Sequence, residues 1–210
     1  MSIMMEHDHL IQWAIELQTL AQAGLAYSQN KYELERFARI RAIAAEMMSA
    51  KSGLSLAEVE SVFCNETGFQ TPKLDTRAAI FKEDQVLLVQ ETDSGTWAMP
   101  GGWVDVDQSI GSNTVKEAFE EAGLEVVAER VIAIQDRNRH NPPPVAHGIC
   151  KIFILCTVQG GSFSPNLETM ASGYFDLDAL PPLAVGKTTE AQIRLCHEAS
   201  LDPGWKVRFD

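Results

Sequence analysis

The 210-residue chain carries 17 Lys and Arg against 29 Asp and Glu, a formal net charge of -12. A surface this acidic docks a phosphate polymer poorly and argues against stable nucleic-acid binding. A small phosphorylated substrate stays open, because a bound divalent cation inverts the local charge. With 45% hydrophobic residues the chain can bury a sizeable core, and its length suits one ordinary domain with a small attachment.

The first residues are not expected to act as a secretory leader, since Glu6, Asp8, Gln12 and Glu16 interrupt the apolar positions. No run is long and apolar enough to span a bilayer. Cys64, Cys150, Cys156 and Cys196 form no CxxC pair and read as buried apolar thiols in a reducing compartment. A protein of the cytoplasm, away from membranes, is expected.

Residues 1–68 read as helical. Leu10, Ile11, Ala14, Leu17, Ala21 and Leu25 recur at helical spacing, with Gly24 a weak point and Ser28-Gln29-Asn30 a break. Tyr32, Phe37, Ile40, Ala44 and Met47 form a second stripe, stopped by Lys51-Ser52-Gly53. Ser55 with Glu58 is a capping-box pattern that opens a short third helix.

The texture changes over 69–210. Ala78–Phe81 and Val86–Val89 are strand-like, joined by a turn at Lys82–Gln85. Pro100-Gly101-Gly102 leads to a helix from about Ser109 to Ala122, closed by Gly123. Strands follow near 125–135 and 149–158, with a stretch at 136–144 too polar and Pro-rich for either element. A strand near Tyr174-Phe175 and a helix near 188–199 end the series. Strands mixed with helices imply an α/β or α+β layered domain.

Glu117, Glu120 and Glu121 stand at i, i+3 and i+4 and so share one helix face. Such a face is a solvated acidic surface, or it is a set of hard oxygen ligands for Mg²⁺ or Mn²⁺. The Pro-Gly-Gly turn ahead of the helix and the Gly123-Leu124 end behind it favour the second reading.

With these residues the chain resembles the Nudix family, whose box reads G-x5-E-x7-R-E-U-x-E-E-x-G-U, U being a bulky aliphatic. Gly102 opens the box, Glu117, Glu120 and Glu121 fill the helix glutamates, and Gly123 and Leu124 end it. Gln108 stands for the loop glutamate, Lys116 for the arginine and Ala118 for the bulky aliphatic. Trp13–Gln18, Cys64–Gly68, Pro100–Trp103, Asp136-Arg137 with the following prolines, and Pro181-Pro182-Leu183 look like the subfamily with a helical N-terminal domain. That subfamily includes bacterial CDP-choline pyrophosphatases and proteins named ADP-ribose pyrophosphatases.

The resemblance implies a Nudix-type α/β/α sandwich with a mixed sheet behind the small helical domain, and a homodimer. It implies metal-dependent hydrolysis of a nucleoside diphosphate linked to a small group, CDP-choline first and ADP-ribose second. A non-catalytic nucleotide sensor is the reading that Gln108, Lys116 and Ala118 support. Glu117 and Glu121 are the implied metal ligands, Glu120 a further ligand or the base, and the Gly101 carbonyl an additional ligand. Lys116 pairs with a box carboxylate and holds the loop.

From the residues themselves, Arg137, Arg139 and His140 suit phosphate or ribose contact as well as they suit an exposed polar loop. Trp103 either stacks on a base or packs on its loop, and Trp97 reads as core. Glu168 is a candidate base, ligand or exposed turn residue. His147 and His197 receive no role.

Overall fold

A computed structural model describes residues 9–210, so Glu6 and Asp8 lie outside it. The chain divides into two compact units, one ending at Pro72 and the other Lys73–Asp210.

The first unit is helical, with α1 (His9–Tyr27), α2 (Lys31–Ser52) and α3 (Leu56–Phe63). Its boundaries follow local chemistry. The Asn30 side chain accepts the Tyr32 N–H, Gly53 stops α2 in the left-handed region at φ 74°, and Ser55 and Glu58 form both halves of the capping box. Gly24 does not end α1. A side chain there would begin 2.4 Å from the Phe37 ring, so its absence lets the two helices close.

The expected stripes turn inward except at their first residues: Ala14, Ala21 and Ala44 are buried and Ile11, Leu17, Leu25, Phe37, Ile40 and Met47 partly so, while Leu10 and Tyr32 are exposed. Helix α1 buries Ala14, Gln18, Ala21 and Gln22. Leu10, Trp13, Leu20 and Tyr27 are exposed, three or seven residues apart along a second, outward apolar stripe. The buried glutamines are satisfied, Gln18 donating to Gln22 and Gln22 to the Gly68 carbonyl. In α2 the buried residues are Ala44, Ala45 and Met48, while Tyr32 is exposed.

The second unit is a mixed sheet between helices. Its strands are β1 (Lys73–Lys82), β2 (Gln85–Glu91), β3 (Trp97–Ala98), β4 (Leu124–Asp136), β5 (Ile149–Gly161), β6 (Thr169–Asp176) and β7 (Arg208–Phe209). The order is β3-β2-β1-β5-β4-β7, with β6 also on β2. The pairs β1–β5 and β4–β7 are parallel and the rest antiparallel.

Strand alternation sends the two sets of side chains to opposite faces. Ala78, Ile80, Leu87, Val89, Ile152 and Ile154 meet Ala118 and Ala122 of α4 (Ile110–Ala122). Ala79, Val86, Leu88, Ala133 and Phe153 meet Ile193, Cys196 and Ala199 of α6 (Glu190–Leu201). Ala118, in place of a bulky aliphatic, is fully buried against the sheet.

Three expectations differ from the structure. The stretch 136–144 contains a helical turn, α5 (Arg137–His140), opened by the Asp136 side chain accepting the Asn138 N–H. Strands β3 and β7 are two residues each, too short to show a period. Of the four cysteines, all free, Cys156 and Cys196 are buried while Cys64 and Cys150 are partly exposed.

Candidate active site

The site begins where β1 parts from β2. Those strands pair at Phe81–Val86 and Lys82–Gln85, and the Pro100–Val104 loop takes the edge of β1 that remains. Ala78 donates to the Pro100 carbonyl, Thr76 to Gly102, and Val104 to Leu74. The loop must lie tight on the strand: Gly101 has φ 145°, and a Cβ there would sit 1.9 Å from the Thr76 carbonyl oxygen.

Helix α4 is hung from this loop. Ser109 caps it, with Ser112 returning the capping-box bond, and Gly123 closes it in the left-handed region. The Glu121 carboxylate accepts the Gly101 N–H at 2.8 Å. Glu117 is buried, its carboxylate packed where a Gly102 side chain would come within 2.9 Å. Asn113 bridges strand and loop, donating to the Thr76 hydroxyl at 3.0 Å and accepting the Asp105 N–H at 3.2 Å.

Both glutamates resist ionisation. Burial pushes the Glu121 carboxyl up to about 7, against the pull of the Arg77 guanidinium and the Gly101 N–H. Burial also raises Glu117, opposed by Lys116 and Arg77 and reinforced by the charges of Glu120 and Glu168.

Lys116 sits 3.0 Å from Asp105, 3.1 Å from Glu120 and 3.7 Å from Glu117, tying the loop to the helix. Its hydrogen bonds to Asp105 and Glu120 raise its pKa, so it stays charged.

These groups open on a cleft of ≈ 550 Å³. Its lining combines Gly101, Gly102, Trp103, Asp105, Glu117, Glu121 and Glu168 with Asp75, Arg77, Arg137, His147, Lys151 and Lys187.

Two of the cations, Arg77 on β1 and Lys151 on β5, are anchored on the sheet. Arg77 donates from Nε and from a terminal nitrogen to the two oxygens of Asp75, at 3.0 and 2.7 Å, and to the Met99 carbonyl at 3.2 Å. Lys151, across from Asp75 in the β1–β5 ladder, reaches the same carboxylate at 2.8 Å. Burial opposes ionisation of Asp75, yet the two cations hold it below its ordinary value. Lys187 pairs with Glu91 at 2.5 Å.

The expected site residues separate into two groups. Glu117, Glu121, Gly101, Trp103, Glu168 and Arg137 line the cleft, with Trp103 half exposed. Glu120, Arg139 and His140 do not. The Glu120 carboxylate lies on the outer side of α4 with Lys116. Within the single turn of α5, Arg137 is buried toward the cleft, whereas Arg139 lies in solvent 3.8 Å from Asp136. His140 bonds Asp210 at 2.8 Å and borders a separate depression of ≈ 390 Å³.

Sequence reading missed Asp75, Arg77, Lys151, Lys187 and the cleft position of His147. The available signal was two charges at i, i+2 entering an apolar strand, and one lysine within Ile149-Cys-Lys-Ile-Phe-Ile-Leu155.

Among the described residues no three His, Cys, Asp or Glu side chains form a closed metal cage. The donors that α4 and its loop bring together at the cleft are the Glu117 and Glu121 carboxylates and Gly101. Hard oxygens suit Mg²⁺ or Mn²⁺, and two carboxyls that burial keeps from ionising are groups whose charge a cation would compensate. The residues fit such an ion.

The NUDIX domain pattern matches residues 71–195, and a pattern described as a UDP-X-like, N-terminal oligomerisation domain matches residues 8–63. The chain belongs to the Nudix hydrolase family. The YjhB protein of Bacillus subtilis (strain 168), provisionally named an ADP-ribose pyrophosphatase, is 34% identical over 200 residues, 95% of this chain and 96% of its own. A crystal structure of an ADP-ribose pyrophosphatase from Streptococcus suis 89-1591 is 59% identical, covers 67% of this chain and all (100%) of that one, and superposes with a TM-score of 0.63. The crystal structure of a UDP-X diphosphatase is 27% identical over 95% of this chain and 98% of that one, also with a TM-score of 0.63. The protein is a Nudix pyrophosphatase. No helix among the described residues is long and apolar enough to cross a membrane.

Proposed function

We propose that the protein uses Mg²⁺ or Mn²⁺ to hydrolyse the diphosphate of a nucleoside diphosphate linked to a small group, with CDP-choline as the first substrate. It would act in the cytoplasm as a homodimer. The observation that carries this is that one cleft is lined both by the carboxylates Glu117 and Glu121 and by the cations Arg77, Arg137, Lys151 and Lys187. A diphosphate needs both, one to hold metal and one to meet phosphoryl oxygens directly.

In this reading Glu117, Glu121 and the Gly101 carbonyl hold the cation. When bound it screens the diphosphate and lowers the pKa of a coordinated water. Lys116 and Asp105 fix the loop against α4, and Glu120 holds Lys116. Glu168 reaches the cleft with no ion-pair partner among the described residues, and takes the proton of the attacking water. The exposed face of Trp103 receives the base. The water oxygen bonds to one phosphorus as the bond from that phosphorus to the bridging oxygen breaks. CDP-choline and one water thereby give CMP and phosphocholine.

CDP-choline rests on the N-terminal resemblance, while the names of the Bacillus and Streptococcus relatives favour ADP-ribose. Incubation of the purified protein with Mn²⁺ and both nucleotides, products resolved by chromatography, decides between them. The expected products are CMP and phosphocholine, with turnover abolished by chelator and reduced by at least two orders of magnitude in Glu121→Gln. Cleavage of ADP-ribose alone transfers the assignment to that substrate. Tight nucleotide binding without cleavage of either supports the sensor.

A further inference from the structure

Helix α5 is a single turn of four residues. So short a helix is unfavourable in isolation, because it fixes many dihedrals for few backbone bonds. Its surroundings must hold it. On the inner side, buried Asn141 donates to the Val185 carbonyl at 2.7 Å and exchanges hydrogen bonds with the Gln192 amide. The Asn138 side chain ties the turn to Val145 by two bonds of 2.9 Å each.

The outer side is held by one carboxylate. Asp210 accepts the Asp136 N–H at 2.7 Å on one oxygen and meets His140 Nε2 at 2.8 Å on the other. It thereby spans α5 from the cap that precedes it to its last residue.

Strand register delivers this carboxylate. β7 runs parallel to β4, paired at Ala133–Arg208 and Ile134–Phe209, so the next residue lies where β4 gives way to α5. Both residues of β7 are exposed and add little to the core. The segment is pinned by Trp205, which donates to the Ile132 carbonyl at 2.9 Å and carries Arg208 on its ring. The structural consequence of β7 is the position of Asp210.

Asp210 borders the separate depression and does not line the cleft. Arg137 is the residue of α5 that does. One terminal nitrogen of its guanidinium donates to the Pro143 carbonyl, and a Cβ at Gly186 would come within 3.1 Å of the other. In so narrow a slot, a small shift of the turn displaces the charged group.

We propose that Asp210 is a positioning residue: clasping both ends of α5 from outside the cleft, it holds Arg137 at the substrate. The link to substrate rests on the hydrolysis reading above. The clasp on α5 does not.

The test compares wild type, Asp210→Ala, Asp210→Asn, Arg137→Gln and the double variant Asp210→Ala with Arg137→Gln. Amide hydrogen exchange is read by NMR, and kinetics are measured with Mn²⁺ on whichever of CDP-choline and ADP-ribose is cleaved. The Asn141 N–H bonds the Arg137 carbonyl and does not touch Asp210. In Asp210→Ala it should exchange about tenfold faster or more, with amides of the sheet core unchanged. The same variant should lose about tenfold or more in kcat/KM. Asp210→Asn, whose amide oxygen can still accept the Asp136 N–H, should fall between alanine and wild type. In the double variant the loss of Asp210 should add nothing to that of Arg137, since it acts through that residue. Should Arg137→Gln fail to fold, the graded series of alanine, asparagine and wild type decides. Unchanged exchange in Asp210→Ala overturns the clasp. Faster exchange with unaltered kcat/KM, or additive losses in the double variant, overturns the positioning role. A wild type that cleaves neither nucleotide sinks the hydrolysis reading, and the exchange result then upholds or overturns the clasp by itself.

Discussion

Lys151 should cost the fold stability. Burial and the neighbouring Arg77 push its pKa down to about 8 from 10.5, against the pull of Asp75. A depressed pKa means that the folded state releases the proton before the unfolded state does. Between about 8 and 10.4 the unfolded chain binds more protons, so stability rises with pH across that window. Below it both states are charged and the fold bears the full penalty, on the order of 3 kcal/mol at 1.36 kcal/mol per pKa unit. Lys151→Met should therefore melt above the wild type at pH 7, with the gap closing as pH passes through 8 toward 10. Melting curves at a series of pH values check this, and a variant less stable than the wild type at pH 7 would refute it. The same residue marks the limit of sequence reading. A lysine inside an apolar strand gives no hint that Asp75, 76 positions earlier, faces it across a parallel ladder. Arg137, Arg139 and His140 share one composition and one loop, so sequence weights them equally. One helical turn then sends them to the cleft, to solvent and to Asp210 respectively.

The elements that position the site were legible where their signals are local. Helix α4 declares its start by Ser109, its end by Gly123 and its acidic face by glutamate spacing, all within fifteen residues. Strands β3 and β7 declare nothing, because a two-residue strand is defined by its partner. The loop between β3 and α4 is intermediate: its glycines stand out in the sequence, but not the reason each is needed. That reason separates two substitutions. A side chain at Gly101 collides with the Thr76 backbone at 1.9 Å, and backbone cannot step aside. Gly101→Ala should detach the loop from β1, break the bond to Glu121, lower the melting temperature and abolish turnover. A side chain at Gly102 meets the end of Glu117 at 2.9 Å, which can swing away. Gly102→Ala should therefore melt close to the wild type while needing more Mn²⁺ for half-maximal rate. Parallel melting and metal-titration curves compare the two, and equal effects of both substitutions on melting would defeat the distinction.

At the scale of the molecule, the helical unit carries more than the sequence pattern declares. The stripe of leucines and alanines does turn inward at Ala14 and Ala21, but α1 also buries Gln18 and Gln22. Close helix packing at Gly24 and Phe37 favours small neighbours, and the glutamines find each other and the Gly68 carbonyl. The large residues Leu10, Trp13, Leu20 and Tyr27 are left on a common outward face, with Trp13 53% and Leu20 58% exposed. Leaving several large apolar side chains in water along one face is costly, at roughly 25 cal/mol per Å² of apolar surface, and such faces mark association sites. The match of residues 8–63 to an oligomerisation domain agrees. A symmetric dimer lets the face cover itself. The full chain should therefore have a solution mass twice its 23.2 kDa. Trp13→Glu combined with Leu20→Glu should bring it to the monomer mass, because burying two unpaired carboxylates opposes the interface. A truncated chain starting at Thr71 should also be monomeric, while keeping Glu117 and Glu121 in their unit. Light scattering after size exclusion reads all three. A monomeric full chain would refute self-association, and a dimeric truncated chain would move the interface to the unit that holds the cleft.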